Sequence, residues 1–339
     1  MKRPIDLQRE GGAQASVPDG KPIIRMFVFA DRLFFMTPSS IFAAKLADEI
    51  DPERLNSAIP QVVQQEELAY GADDDLVRGT VSITDELLKN GAPHLPEGFD
   101  IARSQALALE TAQELAAIND EIRWLHSKQK EVNEGLAAGR WNRAFIPRTQ
   151  NLRGRTEQAL SHARQAALNI IAIGELFYPR ARPNLPWRAA LEGALHRHLP
   201  ADDPFLATFG EIADDLESAI QHRNAAVHPD KMKWVRCLDH ELSPNDKVLA
   251  PTIEIMHPAW AVDRTDVSQY LEVRLGQLIA AYELVLAICC DRNVRNFGPF
   301  VTFVAQRPPD SEADARFHWV TQVREGEQFP PEAGNNAGA

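Results

Sequence analysis

The chain has 339 residues, enough for about two ordinary domains. Apolar residues make up 44% and charged residues 25%, which excludes a wholly disordered chain because enough apolar surface exists to offset chain entropy. The net charge of −12, from 36 basic and 48 acidic residues, argues against a protein that coats DNA indiscriminately by neutralising phosphates.

That average hides a segregation. Residues 48–120 hold 16 acidic and 4 basic side chains, whereas residues 121–164 hold 9 basic and 4 acidic. The three cysteines, Cys237, Cys289 and Cys290, cannot all pair, and no charged n-region with an apolar h-region opens the chain; the expected location is therefore cytoplasmic. The longest apolar run, Leu278 to Cys290, is interrupted by Glu283 and is too short to cross a bilayer, so no membrane partner is expected.

In chain order, residues 1–22 are polar, carry Gly and Pro, and read as a disordered tail. Residues 23–95 read as a smaller N-terminal helical region. There Ser39–Ile50 and Pro52–Ala69 are amphipathic, Asp73-Asp74-Asp75 reads as a solvated helix start, and Met26–Ala30 is a strand candidate. Residues 96–149 form a long helix or heptad hairpin. Pro96 and Gly98 precede a helix over about Phe99–Ala138, in which Leu115, Ile118, Ile122, Leu125, Val132 and Leu136 follow heptad spacing with Gln129 at the missing position. Such a seam packs against the next helix of its own chain or against a second chain, which makes residues 99–138 a candidate surface for a regulatory protein partner. Gly139 and Pro147 then bracket a turn holding Arg140 and Arg143, with Arg148, Arg153 and Arg155 just beyond.

Residues 150–296 read as one helical bundle. Thr156–Phe177 is a helix stopped by Pro179, and Trp187–Leu199 is a shorter one ended by Pro200. Asp203 caps a helix with Pro204 at its first position and an apolar stripe of Phe205, Phe209, Ile212, Leu216 and Ile220. A β-hairpin is expected at about 232–258, where Lys233–His240 and Val248–His257 flank the turn-rich Ser243-Pro244-Asn245-Asp246. The last strong helix runs from Thr265 to about Asn293. Residues 297–322 carry short strands, Phe300–Ala305 and Phe317–Val323, which Met26–Ala30 could join, and residues 323–339 form a second disordered tail. The expected fold class is mainly α, a helical bundle with a β-hairpin insertion preceded by a long helical hairpin and a smaller helical region.

No GxGxxG, Walker A, HExxH, CxxC or GxSxG pattern occurs, so no cofactor and no metal site is expected. Chemistry concentrates in Asp215–Asp230. Continuing the apolar stripe from Ile220 puts Arg223 and Val227 on its core-facing side, where an isolated guanidinium is costly. Pro229 restricts His228 and ends the helix there. Asn224 and His228, four apart, share a face, but Arg223 and His228 lie about 140° apart around an ideal helix. A break in the helix, or a second copy across an interface, is needed to bring those two onto one phosphate.

Arg223-Asn224-Ala225-Ala226-Val227-His228 resembles the Arg-polar-x3-His signature of the HEPN-domain superfamily, and residues 150–296 resemble that family's helical bundle. The resemblance implies a metal-independent endoribonuclease that acts as a homodimer on RNA. Mapped onto this chain, His228 is the general acid or base, Arg223 holds the scissile phosphate, and Asn224 orients one of them. Such proteins serve as toxins or phage-defence effectors, and some members are non-catalytic adaptors. Arg140, Arg143, Arg148, Arg153 and Arg155 are candidate RNA contacts, with Trp124 and Trp141 as stacking surfaces; an Arg-rich pocket of this kind also suits a nucleotide sensor.

Overall fold

Period-two burial governs the N-terminal part of the chain. The computed structural model describes residues 3–11, 17, 18, 20–141, 145–180, 182, 184–245, 247–308, 311 and 315–323. A short helix α1 (Pro4–Glu10) precedes strands β1 (Arg25–Phe29), β2 (Arg32–Met36) and β3 (Ile41–Leu46); helix α2 (Ala47–Ile50) then leads to β4 (Val62–Leu68). The four strands pair in sequence order as an antiparallel meander. In β1, Phe27 and Phe29 are buried while Met26 and Val28 are exposed, as a pleated strand with one covered face requires. Ala30 and Asp31, at φ 46° and 61°, make the β1–β2 turn in the left-handed region that suits a two-residue hairpin.

This corrects the expected mainly-α class. Helix accounts for 51% and strand for 19%, with the strands spread over four small sheets among the described residues, so the fold is mixed α/β. The expectation fails first in the supposed helical region of residues 23–95. β3 lies between β2 and β4, and its run Ile41-Phe42-Ala43-Ala44 is buried on both faces. A strand of that kind has a continuous apolar run with no period to separate it from a helix. The other supposed helix, Pro52–Ala69, would hold Pro60 in its interior, where proline removes a hydrogen bond and clashes; the chain instead enters β4 at Val62.

Helix resumes at the triple aspartate. Asp74 Oδ1 accepts the Leu76 N–H at 3.0 Å and starts α3 (Asp75–Val77), which continues through π-helical turns at Arg78–Ser82 and Asp85–Lys89. Four long helices and a short one follow: α4 (Ile101–Ala137), α5 (Leu152–Phe177), α6 (Trp187–His198), α7 (Pro204–Val227) and, after a run of strands, α8 (Val267–Arg292). The strands between α7 and α8 are β5 (Trp234–Leu238), β6 (Glu241–Leu242), β7 (Val248–Leu249), β8 (Thr252–Met256) and β9 (Val262–Asp266). β5 and β8 pair antiparallel, Trp234 opposite Met256, and β9 adds a third strand beside β8. Last come β10 (Phe300–Gln306) and β11 (Phe317–Val323), paired with each other; Met26–Phe29 belongs to the first sheet and does not join them.

Helices α4, α5, α7 and α8 pack on one another around Leu115, Ile118, Ala167, Ile170, Leu216, Leu278 and Leu286. The heptad seam is covered within the chain, because Leu115, Ile118, Ile122, Leu125 and Val132 are all buried. By length and composition α8 could cross a membrane, a wider span than the 278–290 run suggested. In the protein it is the central helix, and it carries two buried charges, Arg274 and Glu283. The β10–β11 hairpin docks through Trp319, whose Nε1–H donates to the Leu87 carbonyl at 2.9 Å, and through Arg316, 3.1 Å from Glu283. Gly91 permits that docking, since a Cβ there would overlap the Trp319 indole. Gly91→Ala is expected to unseat the hairpin and to cost about 1–3 kcal/mol, read as a lower urea midpoint with a shifted tryptophan emission.

Candidate functional site

The stripe of α7 outruns the core it packs on. Phe205, Phe209, Ile212 and Leu216 are buried, Ile220 is 9% exposed and Val227 is 42% exposed. Arg223 stays on that stripe but sits at the overhang, so it is half-buried and escapes the cost of an enclosed charge. Asn224 is also half-buried and His228 is exposed. The helix ends where Pro229 requires. His228 leaves it at φ −125°, ψ 62°, with its N–H still donating to the Asn224 carbonyl at 2.8 Å, so the ideal-helix angle no longer sets the course of the imidazole.

Among the described residues, no hydrogen bond or ion pair engages the side chains of Arg223, Asn224 or His228, and none joins them to each other. Asp230, the acidic neighbour within reach in sequence, is occupied elsewhere. Its Oδ1 accepts the N–H groups of Met232 and Lys233 at 2.7 and 3.0 Å, and its Oδ2 lies 3.9 Å from the Lys233 ammonium.

The residue before Arg223 is the opposite case. His222 is 1% exposed, and its Nε2 lies 2.7 Å from the Trp260 carbonyl, which can only accept. Nε2 therefore carries the proton, and Nδ1 accepts from the Tyr270 hydroxyl at 2.7 Å. Arg274, also buried, approaches the same Nδ1 at 3.5 Å and donates to the Asp215 carbonyl at 3.1 Å and the Ser218 hydroxyl at 2.7 Å. No carboxylate among the described residues forms an ion pair with Arg274. Burial, and then the adjacent Arg274 charge, pull the His222 pKa down to about 4. Burial pushes the Asp215 carboxyl upward, against the opposing pull of Arg274.

The basic segment lines an open cleft of about 560 Å³. One wall is the C-terminal half of α4, with Trp124, Lys128 and Val132; Trp141 and the 147–151 segment complete it. An adjoining cleft of about 510 Å³ shares residues 148–151 and continues past Arg153 to Cys237, Leu238 and Asp239. Of the candidate contacts, Arg148 is exposed and lines both clefts. Arg155 lies 3.8 Å over the Trp124 ring and donates to Glu121 at 2.7 Å; Arg153 pairs with Glu157 at 2.8 Å. Arg140 lies 5.6 Å from the Trp141 ring centroid. Arg143 lies outside the described residues.

The motif and the clefts share one end of the helical layer. The Arg155–Glu121 and His162–Glu114 pairs set α4 and α5 antiparallel, and the His222–Tyr270 and Arg292–Asp203 pairs do the same for α7 and α8. β5, which follows the end of α7, meets the start of α5 along the second cleft.

A cluster missed from sequence fixes the cleft wall. Asp239 Oδ2 accepts the Thr149 N–H at 2.8 Å, and its Oδ1 lies 3.1 Å from Nδ1 of the buried His240. The Nε2 of that ring donates to the Gln129 Oε1 at 3.0 Å. Only Gln129 carried a signal, as the break in the heptad.

Between pH 6.5 and about 4 the unfolded His222 binds a proton that the folded one refuses, so its contribution to stability is present above pH 6.5 and declines as pH falls toward 4. The loss amounts to about 3 kcal/mol at the acid end. His222→Gln is expected to flatten this slope, measured as the difference between wild-type and variant urea midpoints across that range, which separates it from Asp215.

No family model, no curated protein and no solved structure matches this chain, so the chemistry of the site is what speaks for its function.

Proposed function

We propose that this chain cleaves RNA without a metal ion, through Arg223, Asn224 and His228, as the resemblance to HEPN proteins implies. The observation that supports it most is the contrast at the end of α7. His222 has both ring nitrogens engaged, while the three reactive side chains that follow have no described protein partner. Groups left unpaired at a half-exposed helix end are free to engage a substrate.

In the proposed reaction the ribose 2′-oxygen attacks the adjacent phosphorus and the bond from phosphorus to the 5′-oxygen breaks. The proton lost by the 2′-hydroxyl is balanced by one delivered to the 5′-oxygen, leaving a 2′,3′-cyclic phosphate and a 5′-hydroxyl. His228 moves one of these protons. Arg223 neutralises charge on the phosphorane-like transition state through its forked donors, and Asn224 orients the phosphate or the imidazole. RNA is the substrate because DNA lacks the attacking hydroxyl. Each chain brings one His228 from this segment, so a homodimer that apposes two copies would supply both acid and base. The exposed Val227, Met232 and Met256 offer apolar surface around the motif for that contact. Burial of the heptad seam favours this reading over an adaptor that docks a partner along residues 99–138. A toxin or phage-defence role would follow from the same resemblance.

The test is digestion of total RNA in EDTA by the purified protein. Wild type should yield cyclic-phosphate ends, and Arg223→Ala or His228→Ala should each lower the rate about 100-fold or more, with melting temperatures within about a degree or two of wild type because both positions lie outside the core. Intact RNA with wild type, or equal cleavage by the variants, would sink the proposal.

A further inference from the structure

The cleft between α4 and the start of α5 is built from two kinds of group that together recognise a nucleotide. Trp141 is the aromatic surface. Its indole packs against Gly135 of α4, where a Cβ would overlap the ring, so this seat depends on glycine at residue 135. Trp124, the other indole of the cleft, has the Arg155 guanidinium 3.8 Å over its ring, closer than Arg140 comes to the Trp141 ring at 5.6 Å. Among the cations, Arg155 is held by Glu121 and Lys128 by Glu131, at 2.7 and 2.8 Å. Arg148 has no described partner and stands where the two clefts meet.

The opposite wall is set before any ligand arrives. Asn151 holds a left-handed φ of 54° immediately before α5, and the Thr149 backbone is tied to Asp239 across 90 residues of sequence. A volume of about 560 Å³ lies within the range of small-molecule sites, and the adjoining cleft extends the path beyond Arg148.

We infer that this cleft binds a nucleobase against Trp141 with the attached phosphate on Arg148. A single strand of RNA and a free mononucleotide both present that base and phosphate, so the site stands whether or not the chain cleaves RNA. Stacking a base on an indole strengthens binding about 5- to 150-fold, and a base of any identity offers a π-face. A strand would run from Trp141 past Arg148 into the adjoining cleft.

Two probes separate the sources: 5′-AMP, followed by calorimetry, and a labelled 2′-O-methyl oligoadenylate, which resists cleavage, followed by fluorescence anisotropy. Both titrations use the full chain at one fixed salt concentration. Trp141→Ala and Arg148→Gln should each weaken oligoadenylate binding about tenfold or more. Arg148 is exposed, so its variant tests the site even if Trp141→Ala disturbs folding. Comparable binding of AMP identifies a free nucleotide as ligand, and binding of the oligonucleotide alone identifies a strand; either supports the inference. No binding of either probe at millimolar concentration, or wild-type binding by both variants, overturns it. Intact binding without cleavage of ordinary RNA would defeat only the endoribonuclease reading.

Discussion

His222 meets Trp260 through a ring nitrogen that must carry the proton and Tyr270 through one that must not, and these two bonds tie the last turn of α7 to α8 and to the loop before β9. Where that turn ends decides where His228 leaves the helix and where β5 begins. β5 in turn places Cys237, Leu238 and Asp239 along the second cleft. Buried Arg274 serves the same end. Its charge opposes protonation of His222, and its Nη1 donates to the Asp215 carbonyl and Ser218 hydroxyl while its buried Nε–H has no partner among the described residues. A cation in the core without a paired carboxylate is expensive to hold. Here its return is a histidine kept neutral and in one tautomer at the root of the candidate catalytic segment.

A second polar contact fixes the other side of the same end. Gln129 sits where the heptad seam of α4 calls for an apolar residue, and its side-chain oxygen takes the Nε2–H of His240. Asn133 accepts from the Gln129 amide at 3.1 Å and so orients it. The seam gives up one apolar contact and gains a defined register between α4, the 148–151 segment and the strand end at Asp239. Polar groups buried in this way specify arrangement more than they add stability.

The helices were legible because their signals are local. Asp203 caps α7 through the Phe205 N–H at 2.9 Å, Pro200 and Pro229 bound two helices, and a 3.6-residue stripe runs down α5 and α7. The first sheet was legible only at its edge, where the alternation of Met26–Ala30 marked a strand; its central strand was not, since it is apolar on both faces. At the site, Arg223, Asn224 and His228 could be found because they share one turn with Pro229. Their freedom from partners could not, because it depends on Asp230 turning toward Lys233. His222 was passed over for a similar reason: its partners lie 38 and 48 residues away.

Charge sets how the cleft could hold a nucleic acid. The chain carries −12 overall, and most cations near the cleft are already engaged: Arg155 by Glu121, Arg153 by Glu157, Lys128 by Glu131. Arg148 is left, with Arg140 beside Trp141. Two cations with no carboxylate partner among the described residues release few counterions from a single strand, so the electrostatic part of its affinity would fall only as about the 1.4 power of salt concentration. A protein that binds in this way cannot rely on phosphate attraction to gather RNA from a distance. Affinity must come from stacking on the indole that Gly135 seats, and that favours unpaired bases over any duplex, whose stacked bases cannot reach the ring. On the proposed reading the segregation of charge along the sequence would act as a filter: the acidic body would repel nucleic acid in general, and the cleft that holds Arg148 and Trp141 would admit a strand that is already single.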